Sequence, residues 1–243
     1  MRDAGAWMGP MGALARITTT SFTERVTRLL DRVDYRRVES VEDREAIYRL
    51  RYEAYLREGT IQPNFTKRFS DNYDEMENAW TFGIYIDNRL ASSFRLHVST
   101  PEAPDIPAAH VFPDILNPLI EGKKILVDPT RFVADPLSAR KFPELPYVTV
   151  RIGHMAGEFF KADYVLATVR SEHQAFYKRV FGHRAVCPPR PYPTLTKPIA
   201  LMMVDAHTER EHILRRYPIF RSTQFEKRML FERPTQIAKR TAA

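Results

Sequence analysis

Among its 243 positions the chain has one cysteine, nine glycines and no run of eighteen apolar residues. The lone Cys187 excludes an internal disulfide framework and fits a reducing, cytoplasmic setting. It sits in a proline-rich stretch, where an inert thiol is the plain reading. The seven histidines are scattered, none at zinc-ligand spacing from another His or Cys, so no metal is expected. Without a long apolar run no transmembrane helix is expected. Residues 4–15 look faintly like a signal peptide, but they are rich in Gly and Pro and follow Asp3. Residues 1–20 therefore read as a flexible leader.

What is present is a substantial core and an uneven charge. Apolar residues make up 44% and aromatics 12%, enough for one α/β domain with extensions. The net charge of +7 gathers at the ends: residues 206–243 hold nine Lys/Arg against four Glu, whereas the middle balances. Such ends read either as a solvated tail or as a docking surface for an acidic partner. No nucleic-acid-binding motif accompanies the charge, so nucleic acid is not expected.

Along the chain, Phe22, Val26, Leu29, Leu30 and Val33 repeat at helical spacing, and Tyr35–Glu39 reads as a strand. Ser40 with Asp43 opens a helix that Gly59 ends. A polar loop runs from Thr60 to about Asn78. Trp80, Phe82, Ile84 and Ile86 then alternate, Asp87-Asn88-Arg89 turns, and Leu90–Val98 returns as the second arm of a hairpin. A proline-rich excursion follows, which reads as a loop or insertion over the sheet. Lys124–Ala134 is a strand interrupted by Pro129, a residue confined to edges or bulges because it has no N–H to give a ladder. Helix Tyr147–Lys161, strand Tyr164–Val169, helix Glu172–Phe181 before Gly182, and strand Ile199–Val204 complete a domain over 21–205. Residues 206–243 read as a basic, helical extension.

Charges stand at positions where this pattern calls for apolar residues. In the helix ending at Gly59, Ile47, Arg51, Ala54 and Tyr55 fall within about 100° of one another on a helical wheel. A guanidinium aimed at a core must meet an anion there, and Asp71-Asn72-Tyr73-Asp74 follows within reach. On the return strand Phe94 and Leu96 share one face, so Arg95 points to the other. Arg131 lies in the strand that Pro129 interrupts. Each has a plainer reading too: a structural Arg51–Asp74 pair, an Asx turn at Asp71–Asp74, a surface Arg95, strand-end punctuation at Asp128-Pro129, core roles for Trp80 and Tyr177, and a helix-start surface role for His173.

The order of elements resembles the GNAT-like acyltransferase fold, a central mixed, mostly antiparallel sheet flanked by helices. Glu172–Gly182 looks like its late helix, with alanine, x and tyrosine ahead of glycine. The series Arg51, Tyr55, Asp71-Asn72-Tyr73-Asp74, Arg95 and Asp128-Pro129-Thr130-Arg131-Phe132 is similar to acyl-homoserine-lactone synthases and to their sister group, the N-acyl amino acid synthases. The likeness spans roughly residues 35–205. Lactone synthases carry a tryptophan after the first helix, absent from Gly59-Thr60-Ile61-Gln62, and a glutamate where this chain has Asp128; both departures favour the N-acyl amino acid branch. The glycine-rich loop of CoA-dependent acetyltransferases is missing from Ala134–Phe142. A carrier-protein phosphopantetheine makes smaller demands, and Arg140 and Lys141 could meet its phosphate as point charges.

The resemblance implies transfer of a fatty acyl group from acyl-phosphopantetheine, on acyl carrier protein or CoA, to the amine of an amino acid, with no permanent cofactor. Asp128 would receive the amine proton. Arg131 and Arg95 would clamp the acceptor's carboxylate or hold the aspartate loop, with Arg51, Tyr55, Asp71, Asp74 and Thr130 completing the pocket. Tyr177 would protonate the leaving thiolate. A bulge at Pro129 would splay two strands and free N–H groups for an oxyanion, and the apolar faces of the hairpin would line an acyl tunnel. Lactone synthesis from S-adenosylmethionine and a silent carrier-protein or lipid-binding relative are the alternatives.

Overall fold

The computed structural model describes residues 20–193 and 195–233. Apart from Thr20, the leader expected over 1–20 lies outside the described residues, as does the end of the chain from 234. Seven strands form one sheet in the order β1-β2-β3-β4-β5-β7-β6, antiparallel except where β4 meets β5. The expected mixed, mostly antiparallel sheet is therefore present.

Local signals set most boundaries. Ser21 and Glu24 close a capping box on α1 (Phe22–Leu30), which leads into β1 (Val33–Arg37). Ser40 Oγ accepts from Asp43 N at 3.0 Å and opens α2 (Val41–Arg57). Two residues on, Gly59 takes a left-handed φ of 64°. β2 (Ala79–Ile86) and β3 (Arg89–Ser99) are joined through Asp87 and Asn88 at φ 50° and 62°. Both lie in the left-handed region that a tight hairpin turn requires and that Asp and Asn tolerate.

The proline-rich excursion departs from expectation. It folds into α3 (Pro107–Val111) and α4 (Pro113–Glu121), each with proline in its first turn, where the missing N–H has no partner to lose. Ile106, Phe112 and Leu116 bury themselves against Leu126, Leu166 and Leu201 in a second core on one face of the sheet.

β4 (Leu126–Ala134) lies inside the sheet between β3 and β5 (Tyr164–Val169), so Pro129 does not mark an edge: it pairs with Leu96, and the bulge follows it, where Arg131 and Phe132 together oppose Phe94. Arg131 has a φ of 54°, and the register with β3 slips between Ser93 and Arg95. β5 pairs with β4 only at Leu126↔Tyr164 and Val127↔Val165. Past Val127 the ladder between the two strands ends, while β5 stays paired along its whole length to β7 (Ala200–Asp205).

The other face carries α5 (Pro136–Lys141) and α6 (Leu145–Phe159). Helix α6 starts two residues earlier than the pattern suggested because Pro146 fits the first turn. A 3-10 turn at Ser171–His173 precedes α7 (Gln174–Phe181), and Gly182, at φ 75°, ends it. The two-residue strand β6 (Arg184–Ala185), like α5, leaves too short a pattern to read from sequence. α8 (Ala206–Arg216) and α9 (Gln224–Phe231) bury Ile213, Leu214, Leu230 and Phe231 in the main core. Arg151 on α6 ties them down, donating to Ile219 O at 2.8 Å and pairing with Glu226 at 2.5 Å. Among the described residues no helix is long and apolar enough to cross a membrane.

Candidate active site

The two faces of the sheet differ in kind. Phe82, Phe94, Leu96 and Val127 point toward α6 and the main core. Arg95, His97 and Asp128, from the alternate positions of β3 and β4, point the other way and are buried. On that side the 3-10 turn Asn72–Glu75 presents two carboxylates: Asp71 caps the turn, and Asp74 Oδ2 accepts from Asp71 N at 3.0 Å, so each fixes the other.

Three arginines converge on this pair. Arg51 Nη1 meets Asp74 Oδ1 at 2.7 Å. Arg95 Nη1 lies 2.5 Å from Asp71 Oδ1 and 2.9 Å from Asp74 Oδ1, and its Nε donates to Thr130 Oγ1 at 3.0 Å. Arg131 donates to Asp71 Oδ2 through Nε, at 3.1 Å, and through Nη2. Arg51 and Arg95 are wholly buried. Burial by itself would raise the Asp71 pKa, but the hydrogen bonds and charges of Arg95 and Arg131 hold it well below the carboxylate range. Asp74 is shifted down in the same way by Arg51 and Arg95 against its burial. Three guanidiniums against two carboxylates leave the cluster one positive charge in excess, and Arg51 Nε and Nη2 have no hydrogen-bond partner among the described residues.

The bulge explains how Arg131 joins. In regular alternation it would share the face of Pro129; instead, with its left-handed φ, Thr130 and Arg131 both serve the charged face, while Phe132 returns to the main core and Val133 packs with Leu50 and Ala54. The rings of Phe69, Tyr55 and Tyr192 surround its guanidinium, with centroids 4.7, 5.8 and 5.6 Å away.

Two cavities meet at the gap between β4 and β5. A passage of about 380 Å³ runs through the parting strands, lined by Tyr55, Thr130, Arg131, Thr168, His173 and Tyr177 among others. A chamber of about 320 Å³ lies on the α6 face, walled by Phe94, Val150, Val165, Leu166, Phe181 and Val204, with Gly153 and Gly157 making room. Phe94, Pro129 and Tyr177 line both. A methyl on Gly153 would come within 3.3 Å of the Phe94 ring, and one on Gly157 within 3.0 Å of Val165. Burial drives the Tyr177 phenol well above its ordinary pKa, so it keeps its proton at neutral pH.

The structure thus gathers Arg51, Asp71, Asp74, Arg95, Thr130 and Arg131, and sets Tyr55, Thr130, Arg131 and Tyr177 along the passage. Asp128 is close by but lines neither cavity: its Oδ2 accepts from Ala108 N of α3 at 2.9 Å, its Oδ1 has no partner among the described residues, and burial pushes its pKa up to about 7. Arg140 and Lys141 are exposed on α5 and line neither cavity. The hairpin supplies only Phe94 to the chamber, because Phe82 and Ile84 are covered in the main core. Sequence reasoning did not find the chamber. Its one readable sign was Gly153 and Gly157, four apart on an apolar helix and therefore on one face. His97 and His183, both buried, also went unnoticed, since single histidines at strand and loop positions carry no pattern.

Comparison with known proteins accords with this geometry. A family model described as N-acyl amino acid synthase FeeM matches residues 46–205. No curated protein matches the sequence. Among solved structures, FeeM, an N-acyl amino acid synthase from uncultured soil microbes, is 18% identical with a TM-score of 0.58, covering 75% of this chain and 96% of FeeM. The CoA-dependent acyl-homoserine lactone synthase BjaI, solved with MTA, is 15% identical with a TM-score of 0.52, covering 73% of this chain and 83% of BjaI. TofI, solved with an inhibitor and MTA, is 12% identical at a TM-score of 0.53, covering 78% of this chain and 100% of TofI. At such identities these structures establish the shared GNAT-like fold, and the family model carries the assignment: the chain is an acyltransferase that belongs to the N-acyl amino acid synthase FeeM family.

Proposed function

We propose that the protein transfers a fatty acyl group from an acyl-phosphopantetheine thioester to the α-amine of an amino acid. The observation that carries this reading is the meeting of an apolar chamber and a strand-parting passage at Phe94, Pro129 and Tyr177, beside a buried cluster with one positive charge in excess. The acyl chain occupies the chamber, the phosphopantetheine arm lies in the passage, and the thioester carbonyl sits where they join. The acceptor approaches from the charged face, its carboxylate drawn by the excess charge at Arg131 and Arg95 with Tyr55 and Thr130 as the wall. Arg51, Asp71 and Asp74 keep those arginines in place.

The amine nitrogen attacks the carbonyl carbon, and the oxyanion is met by N–H groups of β4 past Pro129, where the β5 ladder has ended. Asp128 takes the amine's proton through water, since it borders the site without lining it and titrates near neutrality. The C–S bond breaks, and Tyr177 hands its proton to the departing thiolate. Acyl carrier protein is the favoured donor: Arg140 and Lys141 on α5 offer its phosphate exposed cations, and the basic ends suit an acidic carrier.

The purified protein, given acyl carrier protein or CoA thioesters and a pool of amino acids, should yield N-acyl amino acids by mass spectrometry. Failure with every amino acid removes the proposal. Release of methylthioadenosine when S-adenosylmethionine replaces the pool marks a lactone synthase instead.

A further inference from the structure

Beyond residues 46–205, which match the family model, the chain adds α8 and α9. Helix α9 turns Lys227, Leu230 and Phe231 inward and Phe225 and Met229 outward, both 65% exposed and neighbours on one face at a spacing of i, i+4. Six large apolar side chains are exposed among the described residues, and the other four, Val41, Phe65, Leu137 and Val186, stand singly on separate segments. Scattered apolar residues on a surface are ordinary, whereas a group of them rimmed by polar side chains is the form a contact surface takes. The rim here is cationic. Arg221 precedes the pair, Arg228 lies between its members, and Arg215 and Arg216 end α8. All four arginines are exposed, and none has a carboxylate partner among the described residues. The chamber opens beside this face. Along α6 it runs from Gly153, next to Phe94 and Pro129, past Gly157 to Glu158 and Lys161, where Arg210, Gln224 and Lys227 join the lining. Gln224 and Lys227 belong to α9 itself. The passage draws its lining from other elements, with Glu58, Thr60, Arg170 and Leu195 away from the junction and nothing from α8 or α9. A carrier protein that feeds its arm into the passage therefore docks away from α9.

We propose that α9 docks the enzyme on the surface of an anionic lipid bilayer, with Phe225 and Met229 entering the headgroup region and the arginines meeting lipid phosphates, so that the acylated product leaves the chamber into lipid. A bilayer answers both features of the face at once. Its interface buries exposed Phe and Met, and its anionic headgroups attract arginine. The product, a hydrocarbon chain with a charged end, is itself at home there. The release half of the proposal rests on the acyl-transfer reading of the two cavities, whereas the docking half stands without it.

Sedimentation of the full protein with vesicles tests this. Vesicles containing phosphatidylglycerol should bind it about tenfold or more tightly than pure phosphatidylcholine, since each arginine near an anionic surface adds up to about fivefold, and the binding should weaken as salt rises. Phe225→Ser with Met229→Ser should weaken binding to the anionic vesicles about tenfold and leave turnover of a short-chain thioester unchanged in vesicle-free solution. Arg221→Glu with Arg228→Glu should remove most of the preference for the anionic lipid. With long-chain donors, anionic vesicles should raise the native kcat severalfold, and an unchanged kcat overturns the release half. No sedimentation with either lipid, or equal sedimentation of native protein and serine variant, overturns the docking and leaves the acyltransferase reading intact. A serine variant whose KM for acyl carrier protein rises while its vesicle binding holds overturns it too, in favour of the carrier as occupant. Vesicle binding by protein that transfers no acyl group to any acceptor supports the docking and refutes the acyl-transfer reading.

Discussion

Replacing Asp128 with Asn should stabilise the protein at alkaline pH while slowing it. Asp128 is wholly buried, and burial outweighs the help of the Ala108 N–H and of nearby Arg95 to lift its pKa from an ordinary 3.8 to about 7. Between those two values the folded protein holds a proton that the unfolded chain has released, so stability falls as pH rises through that window and levels off above it. Each pH unit in the window is worth about 1.4 kcal/mol, making the full penalty about 4 kcal/mol above pH 7. The amide keeps the acceptor for Ala108 N and never ionises. It does bring an N–H2 toward the position of the unpartnered Oδ1, at a destabilising cost of about 1–3 kcal/mol that does not change with pH. The decisive quantity is therefore the stability difference between variant and native protein as a function of pH. Urea unfolding should show that difference moving in favour of Asn by up to about 4 kcal/mol between pH 4 and pH 8. A flat difference would refute both the raised pKa and the assignment of the charge to this carboxyl. Over the same range the variant should lose about 10²- to 10⁴-fold in acceptor kcat/KM, along with the limb of the pH profile near 7. A variant more stable and equally active would leave Asp128 as a support for α3 and nothing more.

Asp71 should respond with the opposite slope. Its depressed pKa gives stability that is complete above the ordinary carboxylate value and lost as pH falls toward the folded one; Asp71→Asn removes the carboxylate charge that Arg95 and Arg131 share and should destabilise by about 3–5 kcal/mol at pH 7 in the same unfolding assay. Tyr177→Phe should change stability by less than about 1 kcal/mol, because the phenol makes no hydrogen bond among the described residues, and should slow alkyl thioesters about 10²-fold while leaving thiophenyl esters, whose thiolate departs unprotonated, nearly untouched. Gly153→Val should fill the chamber beside Phe94 and shift the preferred donor to shorter chains, read by competition between thioesters in one mixture. Arg131→Lys should raise KM for the acceptor more than it lowers kcat, since an ammonium cannot repeat the two-pronged contact with Asp71.

Charges were legible in the sequence where they broke an apolar period. Arg51 interrupts a helix whose neighbours on that side, Ile47 and Ala54, are buried, and Arg95 sits between Phe94 and Leu96, so strand parity alone put it on the opposite face. Asp71 and Asp74 were identifiable as partners because two buried guanidiniums need anions and the intervening turn supplies them. Parity failed at Arg131: nothing in Asp128-Pro129-Thr130-Arg131 says which residue is the extra one of the bulge, and that choice decides which face its guanidinium reaches. Asp128 was expected to receive the amine's proton, but its contact with Ala108 was not legible, because it depends on α3, a helix hidden in a stretch whose prolines read as a loop. The chamber was out of reach for another reason. A cavity is space left by residues from β3, β4, β5, α6, α7 and α8 after packing, and local periodicity reports what is buried, not what fails to meet.

The bulge at Arg131 and Phe132, just past Pro129, bears on both halves of the site. A regular β4 would have turned Arg131 toward the apolar chamber, away from Asp71. Proline withholds one ladder donor, the left-handed Arg131 places two successive side chains on the charged face, and pairing to β5 ends at Val127↔Val165. One irregularity in one strand thus brings Arg131 to the cationic cluster beside the gap where chamber and passage meet. Deleting Thr130 restores regular alternation with Arg131 moved into its place opposite Arg95, so both the Arg95–Thr130 bond and the seat of Arg131 on Asp71 are lost and acyl transfer should fall sharply, whereas a change confined to either face should spare the other.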